Sequence, residues 1–186
     1  MKKVKTLAKP TLSRTKKKSA PKPTSDPPKA LLKQYFRLSF KEALNGVNHK
    51  HGGPFGAIIV LNGKIIGVGH NTVLKDNDPS CHAEVNAIRD ACRKLKRPHL
   101  ENSILIASSE PCPMCLTTSY WAQIGKIYYA LPRKIAAKYG FIDDFIYLDL
   151  KKASNKRKLQ VSSFKDSFKS GLAVFKKWHK LNGKLY

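Results

Sequence analysis

Four residues of this 186-residue chain have types and spacings that could do chemistry together: His82, Glu84, Cys112 and Cys115. The two cysteines stand three apart, so on a helix they share a face. With one distant histidine they supply three soft or borderline donors, a set suited to Zn²⁺ with its fourth position open to water. Metal held in this way lowers the pKa of that water towards neutrality. Glu84 as a fourth ligand would close the site, so it reads as a proton carrier beside the water. His82 and Glu84 are two apart and diverge in a helix interior, but at a first turn both reach a group beyond the helix end. A closed zinc knot, or unrelated buried residues, is the competing reading. Glutamate two after the histidine and proline before the first cysteine argue against it.

Such a site needs two helix starts, and the sequence supplies them. Asp78, Pro79 and Ser80 are a start signal upstream of His82, followed by an apolar stripe of Val85, Ile88, Cys92 and Leu95. Pro111 and Pro113 bracket Cys112 where a second helix begins, with Thr117, Tyr120, Trp121 and Ile124 as its expected buried face. The positive ends of both helix dipoles would favour thiolate over thiol.

The remaining elements read as scaffold. Leu32, Phe36, Phe40, Ala43, Leu44 and Val47 predict an amphipathic helix from Ala30, ended by Gly46 and Asn48. Residues 55–61 form a buried apolar strand, Asn62-Gly63 signals a type I′ turn, and residues 64–68 return. A loop covers residues 70–80. Strands are expected at 103–107 and 126–130, a short helix over 132–139 capped by Gly140, and a fifth strand at 158–161. Phe164, Phe168, Leu172, Phe175 and Trp178 mark a C-terminal helix. This β-β-α-β-α-β order predicts an α/β fold of three layers, α/β/α, with a mixed five-stranded sheet. Its sites belong at the helix starts reached by way of the sheet.

Four cysteines, two of them assigned to metal, do not make a disulfide framework. No apolar run reaches membrane-spanning length and no signal-peptide core follows the basic start, so the expected compartment is the cytoplasm. The net charge is +24. Residues 1–30 carry ten basic residues against Asp26 alone, a net +9, and residues 1–29 read as a disordered basic arm ahead of a domain at 30–186. Lys16-Lys17-Lys18 leaves nuclear or organellar targeting open. The charge favours polyanions or phosphorylated substrates, or simply a solvated lysine-rich surface. Nucleic acid is the less favoured partner, because no aromatic residues interleave with the lysines of the arm.

The H-x-E…P-C-x-x-C pattern is that of the zinc-dependent deaminases. Further runs extend it: Pro54-Phe55-Gly56-Ala57, Asn71 with Asn77-Asp78-Pro79, residues 82–89, residues 110–115, Tyr120-Trp121-Ala122, Gly140-Phe141, Asp143-Asp144-Phe145-Ile146-Tyr147 and the terminal Tyr186. Over residues 30–186 the chain resembles the cytidine deaminase superfamily, and within it the bacterial guanine deaminases. The resemblance implies conversion of guanine and water to xanthine and ammonia, with one Zn²⁺ per subunit on His82, Cys112 and Cys115. It implies that Glu84 carries a proton from water to a ring nitrogen and that Asp143 protonates the leaving 2-amino group. Ile142 stands where the family has the first aspartate of a pair, which leaves Asp144 as an alternative to Asp143. By the same resemblance Asn71 hydrogen-bonds the purine base, Phe55 stacks on it, and Tyr186 closes a partner's pocket in a domain-swapped homodimer. The plainer readings are a loop-capping Asn71, a core Phe55 and a frayed terminus. Other functions consistent with the pattern are guanosine deamination, tRNA adenosine deamination, and non-catalytic nucleic-acid binding on the same fold. Residues 130–134 lack the Gly-Ala-Arg-Asp run associated with the tRNA enzymes.

Overall fold

A computed structural model describes residues 26–185. Most of the expected basic arm (residues 1–25) and Tyr186 lie outside the described residues. Among those described, four strands form one mixed sheet in the order β2-β1-β3-β4. β1 (Gly56–Leu61) and β2 (Lys64–His70) make the hairpin, and β3 (Ile104–Ser109) pairs antiparallel with β1. β4 (Lys126–Leu131) runs parallel to β3, which requires the helical crossover between them. Asn62 and Gly63 both have positive φ, 50° and 74°, as a type I′ turn demands.

Helices cover both faces of the sheet. α1 (Lys29–Asn48) lies on one side, where Tyr35 joins Ile58, Val60, Ile104 and Ile106. α3 (Ala83–Leu95) lies on the other, where its alanines join Ala57, Ile59, Leu105 and Ala122. The alternation along β1 sends Ile58 to the first core and Ile59 to the second, so the strand is apolar throughout. α4 (Pro113–Trp121) forms the crossover, and α2 (Val73–Asp76) is a single turn inside the expected loop. After β4 come α5 (Arg133–Lys138), α6 (Asp144–Leu150) and α7 (Phe168–Lys180).

Three expectations are corrected. The buried face of α1 is Tyr35, Ser39, Ala43 and Gly46, whereas Phe40, Leu44 and Val47 are exposed. Leu32 and Phe36 do pack against the first core, but where α1 crosses β1 a Cβ on Gly56 would collide with the Ser39 carbonyl and the Ala43 nitrogen, so small residues line the helix there. On α4 the buried residues are Pro113, Cys115 and Ser119, and Thr117, Tyr120 and Trp121 face outward. The i,i+4 pair Cys115 and Ser119 aligns with the core, and Ser119 Oγ closes on the Cys115 carbonyl at 2.9 Å. Residues 158–161 form no strand. Lys158 N–H instead binds both Asp149 carboxylate oxygens, at 3.1 and 3.0 Å.

α3 crosses β2 at Gly67 and Gly69. A Cβ on Gly69 would lie 2.5 Å from the Ala87 nitrogen and 2.6 Å from the Ala83 carbonyl, both backbone atoms. Gly69→Ala must therefore push the helix off the sheet. It should lower stability by about 1–3 kcal/mol in urea unfolding. A loss no larger than that of an exposed control substitution would show that the helix is not seated on these glycines.

Candidate active site

His82 and Cys112 occupy equivalent places. Each is the N-cap of its helix with extended backbone (φ −72°, ψ 155° for His82; φ −68°, ψ 170° for Cys112). Neither N-cap side chain is used to cap its helix. Pro113 stands at the first helical position, where its missing N–H costs nothing. α3 and α4 thus begin at one end of the sheet and aim their N-termini at a common point. There His82 Nδ1 lies 3.6 Å from Cys112 Sγ and 3.5 Å from Cys115 Sγ, and the sulfurs are 3.5 Å apart. Tetrahedral zinc with bonds of about 2.3 Å to sulfur and about 2.0–2.1 Å to nitrogen puts its ligand atoms roughly 3.5–3.8 Å from one another. The three side chains fit that ion.

The electrostatics point the same way. Cys112 is pulled to about 4 by a hydrogen bond from the Cys115 thiol, with the His82 ring assisting. Cys115 is pushed up by that same bond and by its burial, and His82 is raised, chiefly through its bond to Cys112. A divalent ion held here would let both cysteines be thiolates. Glu84, at the second position of α3, is 7% exposed, with Oε2 3.4 Å from Cys115 Sγ. Burial raises its pKa above the ordinary glutamate value.

A cavity of about 710 Å³ opens beside this cluster and is lined by Phe55, Asn71, His82, Glu84, Cys112 and Asp143 among others. Asn71 is 5% exposed, and its Oδ1 accepts from Gly53 N (3.1 Å) and Val73 N (3.2 Å), which leaves its Nδ2 donors for a ligand. Asn71 both orders the loop and lines the cavity. Phe55 likewise does two jobs, packing against the core on the α3 side and meeting Phe141 edge-on at 4.8 Å between ring centroids. The two aspartates separate cleanly. Asp143 lines the cavity with its pKa raised by burial and by Cys112, whereas Asp144 is drawn to Arg133 Nε at 2.9 Å and its side chain is 49% exposed.

Arg133 and Phe141 were not singled out as site residues by sequence reasoning. Arg133 N donates to Glu110 Oε2 at 3.0 Å, and its guanidinium lies over the Tyr147 ring at 4.3 Å. Tyr147 OH in turn donates to the Pro111 carbonyl at 2.7 Å. These contacts lash α5 and α6 to the loop that carries Cys112. No spacing rule ties Arg133 to residue 110 or 147; Phe141, next to Gly140, was open to view as a large apolar residue in a loop.

Residues 30–131 match the family model for the cytidine and deoxycytidylate deaminase zinc-binding region. The chain belongs to this family of zinc-dependent deaminases. It is 43% identical over 150 residues to guanine deaminase of Bacillus subtilis (strain 168), a match covering 81% of this chain and 95% of that one. The X-ray structure of guanine deaminase from Bacillus subtilis superposes with a TM-score of 0.76 at 40% identity, covering 83% of this chain and 97% of that one. The tRNA-specific adenosine deaminase of Aquifex aeolicus is 40% identical over 104 residues, or 55% of this chain and 68% of that one.

Purified protein should carry one zinc per chain by elemental analysis, and Cys115→Ala should lose most of it. Full retention of zinc in that variant would remove Cys115 from the ligand set.

Proposed function

We propose that the protein is a guanine deaminase, converting guanine and water to xanthine and ammonia. The observation that carries this reading is the pair of carboxylates, Glu84 and Asp143, lining one cavity beside the zinc-ligand cluster. Similarity to the Bacillus enzyme adds support, since 150 aligned residues necessarily run beyond residue 131 into the segment that bears Asp143.

His82, Cys112 and Cys115 would hold the metal. Zinc there supplies a Lewis acid that makes water nucleophilic near neutral pH. Asn71 offers amide donors to the purine, and Phe55 presents an apolar ring to its flat surface. Glu84 accepts a proton from the water that attacks C2 and delivers it to a ring nitrogen. Asp143, whose raised pKa keeps it able to donate, protonates the departing 2-amino group. Proton transfer through Glu84 needs its carboxylate form.

The division into a basic arm at 1–29 and a catalytic domain at 30–186 belongs to the same reading, as does a homodimer. α7 buries none of its residues, and Phe168, Phe175 and Trp178 are exposed along it. A partner copy receiving this helix would cover them, and Tyr186 would then close the partner's pocket. Ultracentrifugation should report a dimer, and removal of residues 164–186 should abolish both the dimer and turnover. A monomeric full chain with full activity would overturn the exchange.

Ammonia release from guanine, guanosine, cytosine, adenosine and an anticodon-arm RNA tests the substrate. Release from guanine is expected, and release from RNA alone would transfer the protein to the tRNA editing enzymes. Glu84→Gln should cost at least about 10²–10⁴-fold in kcat while zinc content is unchanged. Loss of zinc with activity would make Glu84 structural.

A further inference from the structure

Behind the cavity wall that carries Asn71, three titratable side chains form a hydrogen-bonded chain: Glu42 on α1, His70 at the end of β2, and His51 on the loop before β1. His51 Nδ1 lies 2.9 Å from His70 Nε2, and His70 Nδ1 lies 3.4 Å from Glu42 Oε2. The two imidazoles stand 18° from parallel with centroids 5.1 Å apart. Space for the His70 ring exists because α1 carries glycine at 46, where a Cβ would come within 2.8 Å of His70 Cδ2. Neither histidine lines the cavity or touches the zinc-ligand cluster, and the proposed reaction uses neither.

Both are nonetheless tied to Asn71. His70 is its immediate neighbour in sequence. The His51 carbonyl accepts from Leu74 N (3.0 Å) and Lys75 N (2.9 Å), anchoring α2. Two residues further on, Gly53 N donates to Asn71 Oδ1 at 3.1 Å. The contact between the imidazoles therefore joins the two chain segments that hold the Asn71 amide. From this geometry we infer that His51 and His70 are positioning residues, whose shared hydrogen bond sets Asn71 and the Gly53 loop against the bound base and survives only while the pair carries no more than one added proton. The inference rests on reading this cavity as the purine pocket.

The proton limit follows from donor counting. With His70 Nδ1–H donating to Glu42, its Nε2 accepts from His51 Nδ1–H. One further proton is tolerated, since either ring can be the cation and still donate or accept. A second puts N–H groups face to face at 2.9 Å, and the contact turns repulsive. Glu42 faces His70 from α1. His49 packs against His51 at 5.3 Å from the end of the same helix, and Lys75 and Asp76 act on it from α2. Burial first, then Lys75, His70 and His49, hold His51 below the ordinary histidine value, with Asp76 opposing them. Adding a proton to His51 is therefore harder than to an ordinary histidine, and base binding weakens once acid forces the second proton onto the pair.

The test is the pH dependence of KM and kcat for guanine, measured on the zinc-loaded full chain of wild type, His51→Leu and His51→Gln. Wild-type KM should rise several-fold in acid, beyond any change in kcat. His51→Leu should raise KM about three- to tenfold at alkaline pH, the loss of one hydrogen bond, with kcat little altered and no further rise in acid. His51→Gln keeps a donor for His70, and it should restore the alkaline KM while staying flat in acid. Persistence of the acid rise in both variants, or an unaltered KM in His51→Leu, would overturn the inference. If His51→Leu fails to fold, the His51→Gln profile alone decides. Imidazole NMR without substrate separates this inference from the substrate assignment: two linked titrations, the lower one lost in His51→Gln, support the pairing even if guanine is not turned over. Independent titrations refute it.

Discussion

Two helices begin at one point, and the rest of the structure depends on that convergence. α3 is seated by close contact with Gly67 and Gly69 on β2, and α4 by the parallel crossover from β3 to β4. Because His82 and Cys112 are N-caps with extended backbone, their side chains leave the helix ends and converge, bringing three ligand atoms within 3.6 Å of one another. The dipole ends of both helices favour negative charge at that point. Neither helix makes the site alone: each supplies part of the donor set, and the sheet sets the distance between them.

Burial then distributes roles among side chains that are chemically alike. Glu84 and Asp143 lose solvent and so hold protons more readily, whereas Asp144, one residue further on, keeps an arginine partner and a half-exposed carboxylate. The adjacent aspartates meet different surroundings because α6 begins between them, with Asp143 as N-cap and Asp144 as the first helical residue. Arg133, Glu110 and Tyr147 fix that helix start against the Cys112 loop. Wall and metal cluster are therefore parts of one packed unit.

The surface carries the complementary signature. Tyr120 and Trp121 on α4, Tyr129 and Leu131 on the edge strand, and the apolar side of α7 are all exposed. The homodimer proposed above would give these side chains something to bury against.

Much of this was legible in the residue order. Local rules suffice where the determining interactions are local: the Asn62-Gly63 turn, the proline-flanked start of α4, the two-sided apolar run of β1, and the His-x-Glu with Cys-x-x-Cys donor set. Periodicity misjudged α1 and α4, because it ranks side chains by hydrophobicity while close helix–sheet approach selects small ones, Ser39, Ala43 and Gly46 on α1 and Cys115 and Ser119 on α4. It also read residues 158–161 as a strand, since alternation says nothing of which groups a segment's backbone will meet, here the Asp149 carboxylate. The choice of Asp143 over Asp144 for the cavity, the Arg133 lashing and the His51–His70 contact were decided only in three dimensions. Each joins residues from different elements, and what they do is set by solvent exclusion, which exists only once the chain has closed around them.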